Sequence, residues 1–204
     1  MKNINLLSLD LELNQPSGTI IQVGAVVGNL ETGEILERYS AIRKTNEKID
    51  ERIQKLTGIT DEKIKEGISL IQIYTDLETI HKKYKCFRNP VTWGGGDSEE
   101  LRLQVFKTPE DFVFGRRWID AKTLFLSFMF ANSNPQQAGL SKAMAKLGLQ
   151  FKGKKHDAKD DAFNAFIIYR DLVNKFISNP SIKQAPIKQG GIYINEQGGI
   201  HIAI

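Results

Sequence analysis

Residues 4–30 read INLLSLDLELNQPSGTIIQVGAVVGNL, and the fold turns on this stretch. Residues 4–13 alternate around apolar positions, the period of a strand. Thr19–Leu30 contains Ile20, Ile21, Val23, Ala25, Val26 and Val27, a β-branched run that predicts a second strand. Glu31-Thr-Gly-Glu34 supplies a turn, and Ile35–Ile42 a third strand. Short connections make these neighbours antiparallel, so the three form a meander. Within the first strand, Asp10 and Glu12 are two residues apart and therefore share a face, with leucines on the other. Two anions held together repel, and a hard divalent cation with oxygen ligands relieves that cost. The competing interpretation is a strand end whose acids are simply hydrated.

The rest of the chain alternates helices with short strands. Ile53, Leu56 and Ile59 mark a short helix ending near Gly58; Thr60 caps another turn that stops at Gly67. Leu70, Ile73, Tyr74, Leu77, Ile80 and Tyr84 have helical spacing. Pro90-Val-Thr-Trp93 reads as a strand ending in Gly94-Gly-Gly96, with a helix from about Ser98. Phe114–Ala121 reads as a further strand, and Thr123–Phe130 as a helix. A helix through Leu140, Ala143, Met144 and Leu147 closes at Gly148. Ala162, Ala165, Phe166, Tyr169, Leu172, Val173 and Phe176 line the last long helix, which Asn179-Pro180 ends. Meander first and alternation afterwards predict an α/β sandwich with a mixed sheet. Residues 181–204, with alternating Ile192, Ile194, Ile200, Ile202 and Ile204, read as an appended hairpin or tail.

Three further positions carry chemistry. Asp97 follows the glycine run at a strand's C-terminal edge, a usual place for function in α/β sheets; the alternative role is a helix N-cap. Asp161 stands in the first turn of the last helix, where the helix dipole favours a carboxylate. His156 lies five residues earlier on the entering loop, placed to exchange a proton with water near Asp161. Asp157 and Asp160 read as capping or solvated residues, His81 as a helix-surface residue, and His201 as part of the tail. Gly148-Leu-Gln-Phe-Lys-Gly153-Lys154-Lys155 nearly matches a phosphate-binding loop. It lacks the final hydroxyl and follows a helix rather than a strand. Lys152, Lys154 and Lys155 are better placed beside a nucleic-acid backbone.

Composition bounds these readings. The 204 residues are 41% hydrophobic and 25% charged, those of an ordinary globular domain rather than a disordered or fibrous chain. No apolar run is long enough to span a bilayer, so no membrane association is expected. The opening MKNINLLSLDLE is broken by acids and reads as a strand, not a signal peptide. Cys86 is the sole cysteine, which fits a reducing, cytoplasmic compartment. The net charge of +4 is uneven. Residues 122–188 hold eleven Lys/Arg against four Asp/Glu, leaving the remainder acidic. That split suits metal cations in one place and a polyanion nearby.

D-x-E in the first strand, Asp after a Trp-Gly-rich strand end and H-x-x-x-x-D opening the last helix together resemble the DEDDh 3′–5′ exonucleases, the DnaQ-like family. Ile20–Val27, Ile53–Thr60 with Leu56-Thr-Gly-Ile-Thr60, Trp118–Phe125 and Gly139–Leu149 also resemble that family's elements, and the likeness covers about residues 4–177. It implies an RNase H-like three-layer fold, with a mixed five-stranded sheet flanked by helices. It divides the chain into an exonuclease domain, 1–179, and a tail, 180–204. It further implies two Mg²⁺ or Mn²⁺ ions on Asp10, Glu12, Asp97 and Asp161, with His156 as general base. The implied reaction releases nucleoside 5′-monophosphates from single-stranded DNA or RNA 3′ ends. Leu11 and Leu13 fall at substrate-binding positions. Leu13 replaces the family's frequent Thr and could wedge against the last base; Phe163 and Asn164 stand where Arg is frequent. A homodimer and a separate polymerase subunit are partners such relatives can have. The rivals are an RNase H-like endonuclease, a nucleic-acid-binding module without turnover, and a plain interaction domain.

Overall fold

The computed structural model describes residues 4–108, 110–131 and 138–178, and the backbone of strands 192–194 and 200–202. The meander forms as its alternation requires: β1 (Asn5–Leu13), β2 (Ile20–Asn29) and β3 (Ile35–Ile42) are antiparallel. Two very short strands join β1 on its other side. β4 (Val91–Thr92) runs parallel to β1, and β5 (Ile119–Asp120) parallel to β4. The five-stranded mixed sheet has order β3-β2-β1-β4-β5, which places the acid-bearing strand at its centre.

Among the described residues six helices precede the last: α1 (Glu51–Thr57), α2 (Asp61–Lys65), α3 (Leu70–Lys83), α4 (Asp97–Gln104), α5 (Ala121–Ala131) and α6 (Leu140–Lys146). The seventh, α7, spans Ala158–Ser178. Local chemistry sets their ends. Asp50 accepts the N–H groups of Arg52 and Ile53 to start α1, and left-handed Gly58 ends it. Thr60 and Ser69 cap α2 and α3 in the same way.

Strand alternation divides the sheet into two unlike faces. Leu7, Leu9, Leu11, Val23, Ala25 and Val27 point to one side and pack with Leu70, Ile73, Tyr74 and Leu77 of α3. Asp10 and Glu12 point to the other, opposite Gly24 and Gln22 of β2. There α7 lies directly on the backbone. A Cβ on Gly24 would come within 2.0 Å of the Ala158 carbonyl carbon, and one on Gly28 within 2.3 Å of the Phe166 ring. Val26 packs between them on Ala162 and Phe163. Two glycines four residues apart on one strand therefore let a helix sit at a depth no side chain would permit.

Several expectations change. Phe114–Ala121 forms a strand only at Ile119–Asp120. Its aromatic residues instead build an irregular cluster in which Phe112, Phe114 and Trp118 pack with Tyr74. His81 is not on the surface: it is 8% exposed, edge-on to Phe114, with Nε2 3.2 Å from the Phe87 carbonyl oxygen. Burial holds its pKa below the usual histidine value.

The chain divides into two compact units, 1–172 and 173–204. In the second, β6 (Ile192–Ile194) pairs antiparallel with β7 (Ile200–Ile202). The expected helix stop at Asn179-Pro180, the tail boundary at 180 and the side chain of His201 lie outside the described residues. Among the described residues no helix is long and apolar enough to cross a membrane.

Candidate active site

The centre of the sheet supplies the first two acids. Asp10 and Glu12 are both half-buried under the N-terminal end of α7. Glu12, His156 and Asp161 each bring a ligand-type atom within 4.8 Å of the other two. These three come from β1, the loop before α7 and the first turn of α7. The His156 backbone is left-handed (φ 60°), and its N–H donates to Asp161 Oδ2 at 3.0 Å. The loop thus turns back onto the acid it precedes and leaves the imidazole exposed.

Asp97 enters from the neighbouring strand. Gly94 (φ 105°) and Gly96 (φ 113°) turn the chain sharply from β4 into α4. Nothing crowds Gly95 or Gly96, so the run serves the turn rather than a close backbone contact. The helix begins on Asp97 itself, with Gly96 at the cap position and no side-chain cap. Asp97 is therefore not the N-cap considered from sequence.

The electrostatics define one cluster. Burial pushes the Asp10 carboxyl well above the usual range, and Asp97, Asp161, Glu12 and Asp157 push it further. Burial, then Asp161, Asp157 and Asp97, raises Glu12 to about 7, against a smaller opposing effect of Lys154. Burial with Asp120 and Glu100 raises Asp97 to about 7. Asp161 is raised by burial, partly offset by the His156 N–H and side chain. Four crowded carboxyls that resist ionisation are a donor set that divalent cations fit, since positive charge removes the repulsion and oxygen suits hard ions.

The residues around the acids are spoken for. Asp157 Oδ1 accepts from Asp160 N–H, and its carbonyl accepts from Asp161 N–H, so it opens α7 as a cap. Asp160 Oδ2 accepts the Lys154 N–H at 2.8 Å and holds the preceding loop. Lys154 Nζ donates to the Thr57 carbonyl at 2.6 Å, so this lysine ties the loop to α1 rather than standing free for a phosphate. Lys155 and Lys142, with Ser141 and Phe151, line a cleft of about 350 Å³ whose wall includes His156 and Asp161. Leu11 is 8% exposed and its side chain belongs to the core. Leu13 is half-buried at the edge of the same core, on the far side of a register shift after Glu12.

Three residues given no role from the sequence, Asn14, Asp120 and Gln22, shape the site, and Lys154 does so in a role other than the expected one. Asn14, buried, donates to the Lys48 carbonyl and accepts from Asp50 N–H, pinning the start of α1 beside the end of β1. Asp120 Oδ1 accepts from Gly94, Lys122 and Thr123 N–H groups, joining the glycine turn to α5. Lys154 acts as described above. Gln22 is 6% exposed; its Nε2 donates to Ser40 Oγ (3.1 Å) and Asp157 Oδ2 (3.5 Å), and its Oε1 accepts from Ala158 N–H (3.2 Å). Apart from the Lys122 and Thr123 groups that Asp120 caps locally, the partners of these side chains lie 18 to 136 residues away, so little in the local pattern announces them. Only the Ile-Ile-Gln-Val-Gly stretch offered a signal, a polar residue inside an otherwise apolar strand.

Comparison with known proteins agrees with this arrangement. The Exonuclease family model (RNase_T) matches residues 7–169. The chain is 29% identical over 177 residues to mouse ERI1 exoribonuclease 2, covering 74% of this chain and 25% of that protein. It thus spans about a quarter of that relative's length. It is 23% identical over 181 residues to the probable 3′-5′ exonuclease KapD of Bacillus subtilis, covering 83% of this chain and 85% of the relative. The nuclease domain of 3′hExo, a DEDDh family member solved bound to rAMP, superposes with a TM-score of 0.72 at 19% identity, over 85% of this chain and 94% of that one. The central acid strand and the helix-borne Asp lie within the matched residues, so the chain belongs to the Exonuclease family, and its fold is the RNase H-like one of that solved DEDDh nuclease domain.

Proposed function

We propose that this chain hydrolyses phosphodiester bonds from single-stranded 3′ ends, RNA in preference to DNA, and releases nucleoside 5′-monophosphates. The observation that carries this reading is the convergence of Glu12, His156 and Asp161 within 4.8 Å, above a strand that also presents Asp10. The preference for RNA is supported by the curated relatives named as exoribonucleases.

Asp10, Glu12, Asp97 and Asp161 would hold two Mg²⁺ or Mn²⁺ ions. Bound there, such ions would make an attacking water more acidic and neutralise charge on the phosphate and the leaving 3′ oxygen. The exposed His156 imidazole would accept the proton of the attacking water. Asp161, held by the His156 N–H, keeps the proton acceptor and the acid cluster in register. Lys142 and Lys155 in the adjoining cleft offer positive charge to the strand's backbone.

Matched 5′-labelled single-stranded RNA and DNA, incubated with Mg²⁺, Mn²⁺ or EDTA, test the proposal. A metal-dependent ladder shortening from the 3′ end is expected, faster on RNA. Internal cleavage, or no shortened product on either strand, would overturn it.

A further inference from the structure

The site needs Asp161 and His156, carried by α7 and its entering loop, to meet Glu12 on β1. The sheet controls that meeting through β2. In the β1–β2 register Gln22 stands opposite Glu12, and Gly24 opposite Asp10, on the same face. The first N–H of α7, that of Ala158, donates to Gln22 Oε1. A helix's first N–H groups have no partner within the helix, so this bond answers a need that exists only at that end. The same amide reaches Asp157, whose carboxylate and carbonyl cap α7, and Ser40 on the next strand. Gly24 meanwhile lets the Ala158–Lys159 backbone touch the sheet. Gly24 sets how deep α7 sits.

We propose that Gln22 is a positioning residue: by holding the Ala158 N–H and the Asp157 carboxylate on the rung opposite Glu12, it sets the spacing between the acids of β1 and those of α7. The proposal rests on the exonuclease reading for its kinetic consequence, but not for its structural one. A packing residue of the same volume would fill the space equally well. What Gln22 adds is direction, because an amide accepts at one end and donates at the other. Buried at 6% exposure, it cannot exchange these partners for bulk water.

The test compares Gln22→Met, similar in volume but without either hydrogen bond, with Gln22→Glu, which keeps an acceptor for Ala158. Gln22→Met should lower kcat about 10–100-fold, as loss of an orienting outer partner typically does. KM should change less than about twofold, because the nucleic-acid cleft is untouched. Mn²⁺ affinity by calorimetry should fall over a similar range, and amide exchange at Ala158 should accelerate. Gln22→Glu should restore slow amide exchange at Ala158, the readout its acceptor controls, while its carboxylate, facing Asp157, is not expected to restore the metal site. The idea is overturned if Gln22→Met keeps wild-type kcat and Mn²⁺ affinity, or if amide exchange at Ala158 is no slower in folded Gln22→Glu than in Gln22→Met. Failure of both variants to fold would also overturn it, assigning Gln22 a purely structural role. Absence of a 3′ ladder from the wild-type protein would instead sink the exonuclease reading, leaving calorimetry and amide exchange to judge Gln22.

Discussion

At the residue scale, His156 and the acids separate by the work each does. On the proposed mechanism His156→Ala removes the proton acceptor but no carboxylate. It should cost about 10²–10⁴-fold in kcat, the usual worth of a general base, while Mn²⁺ binding by calorimetry stays within a few-fold. An unchanged rate would remove His156 from the reaction. Asp10→Ala and Asp161→Ala should each abolish product formation and weaken Mn²⁺ binding, with far-UV circular dichroism unaltered; a variant at wild-type rate would take that acid out of the site. Two local rules made these residues legible in the sequence. Period-two alternation puts Asp10 and Glu12 on one face, and a helix's first turn favours Asp161. Asn14 and Gln22 are not legible, because each is defined by a distant partner, and Lys154 reads from the sequence as a backbone-phosphate contact instead. A lysine whose ammonium bonds a carbonyl 97 residues away looks, in the sequence, like any surface lysine.

At the element scale, the decisive contact is α7 on β2. Gly24→Ala would drive a methyl into the Ala158 and Lys159 backbone, which cannot rotate aside as a side chain can. Overpacking of this kind costs about 1–3 kcal/mol. Activity should fall more steeply than stability, because relief comes only by lifting the helix that carries Asp161. Gly28→Ala, against the Phe166 ring two turns further along, is the control. It should lower the melting temperature comparably with a smaller loss of rate. Equal losses of rate in the two folded variants would refute the argument. The long elements follow from periodicity: Ile35–Ile42 is a strand over its expected span, and α3 starts at Leu70. The two-residue strands β4 and β5 are too short to carry a period. Phe112, Phe114 and Trp118 look strand-like for their composition, yet they pack from irregular backbone.

At the scale of the whole molecule, the acid cluster ties stability to pH and to metal. Glu12 and Asp97, with ordinary values of 4.5 and 3.8, titrate near 7 in the folded protein. Between those limits the folded state holds protons that the unfolded chain has released. Stability of the metal-free protein therefore falls as pH rises from about 4 to 7, and its melting temperature should be higher at pH 5 than at pH 8. Each kcal/mol recovered corresponds to about 2–4 °C for a chain of this size. Adding Mn²⁺ at pH 8 should restore the loss, with a smaller effect at pH 5, where protons compete for the carboxyls. A flat metal-free profile by differential scanning calorimetry would contradict this. The cluster also has a history in time. Glu12 and Asp161 are separated by most of the chain, and the sheet that presents the first awaits the helix that brings the second. On a ribosome adding about 5–20 residues per second, the two are born many seconds apart. Every nascent chain thus spends its early life with paired acids and nothing to complete them, and on the proposed RNA-directed activity it should not cut its own messenger until α7 emerges and docks.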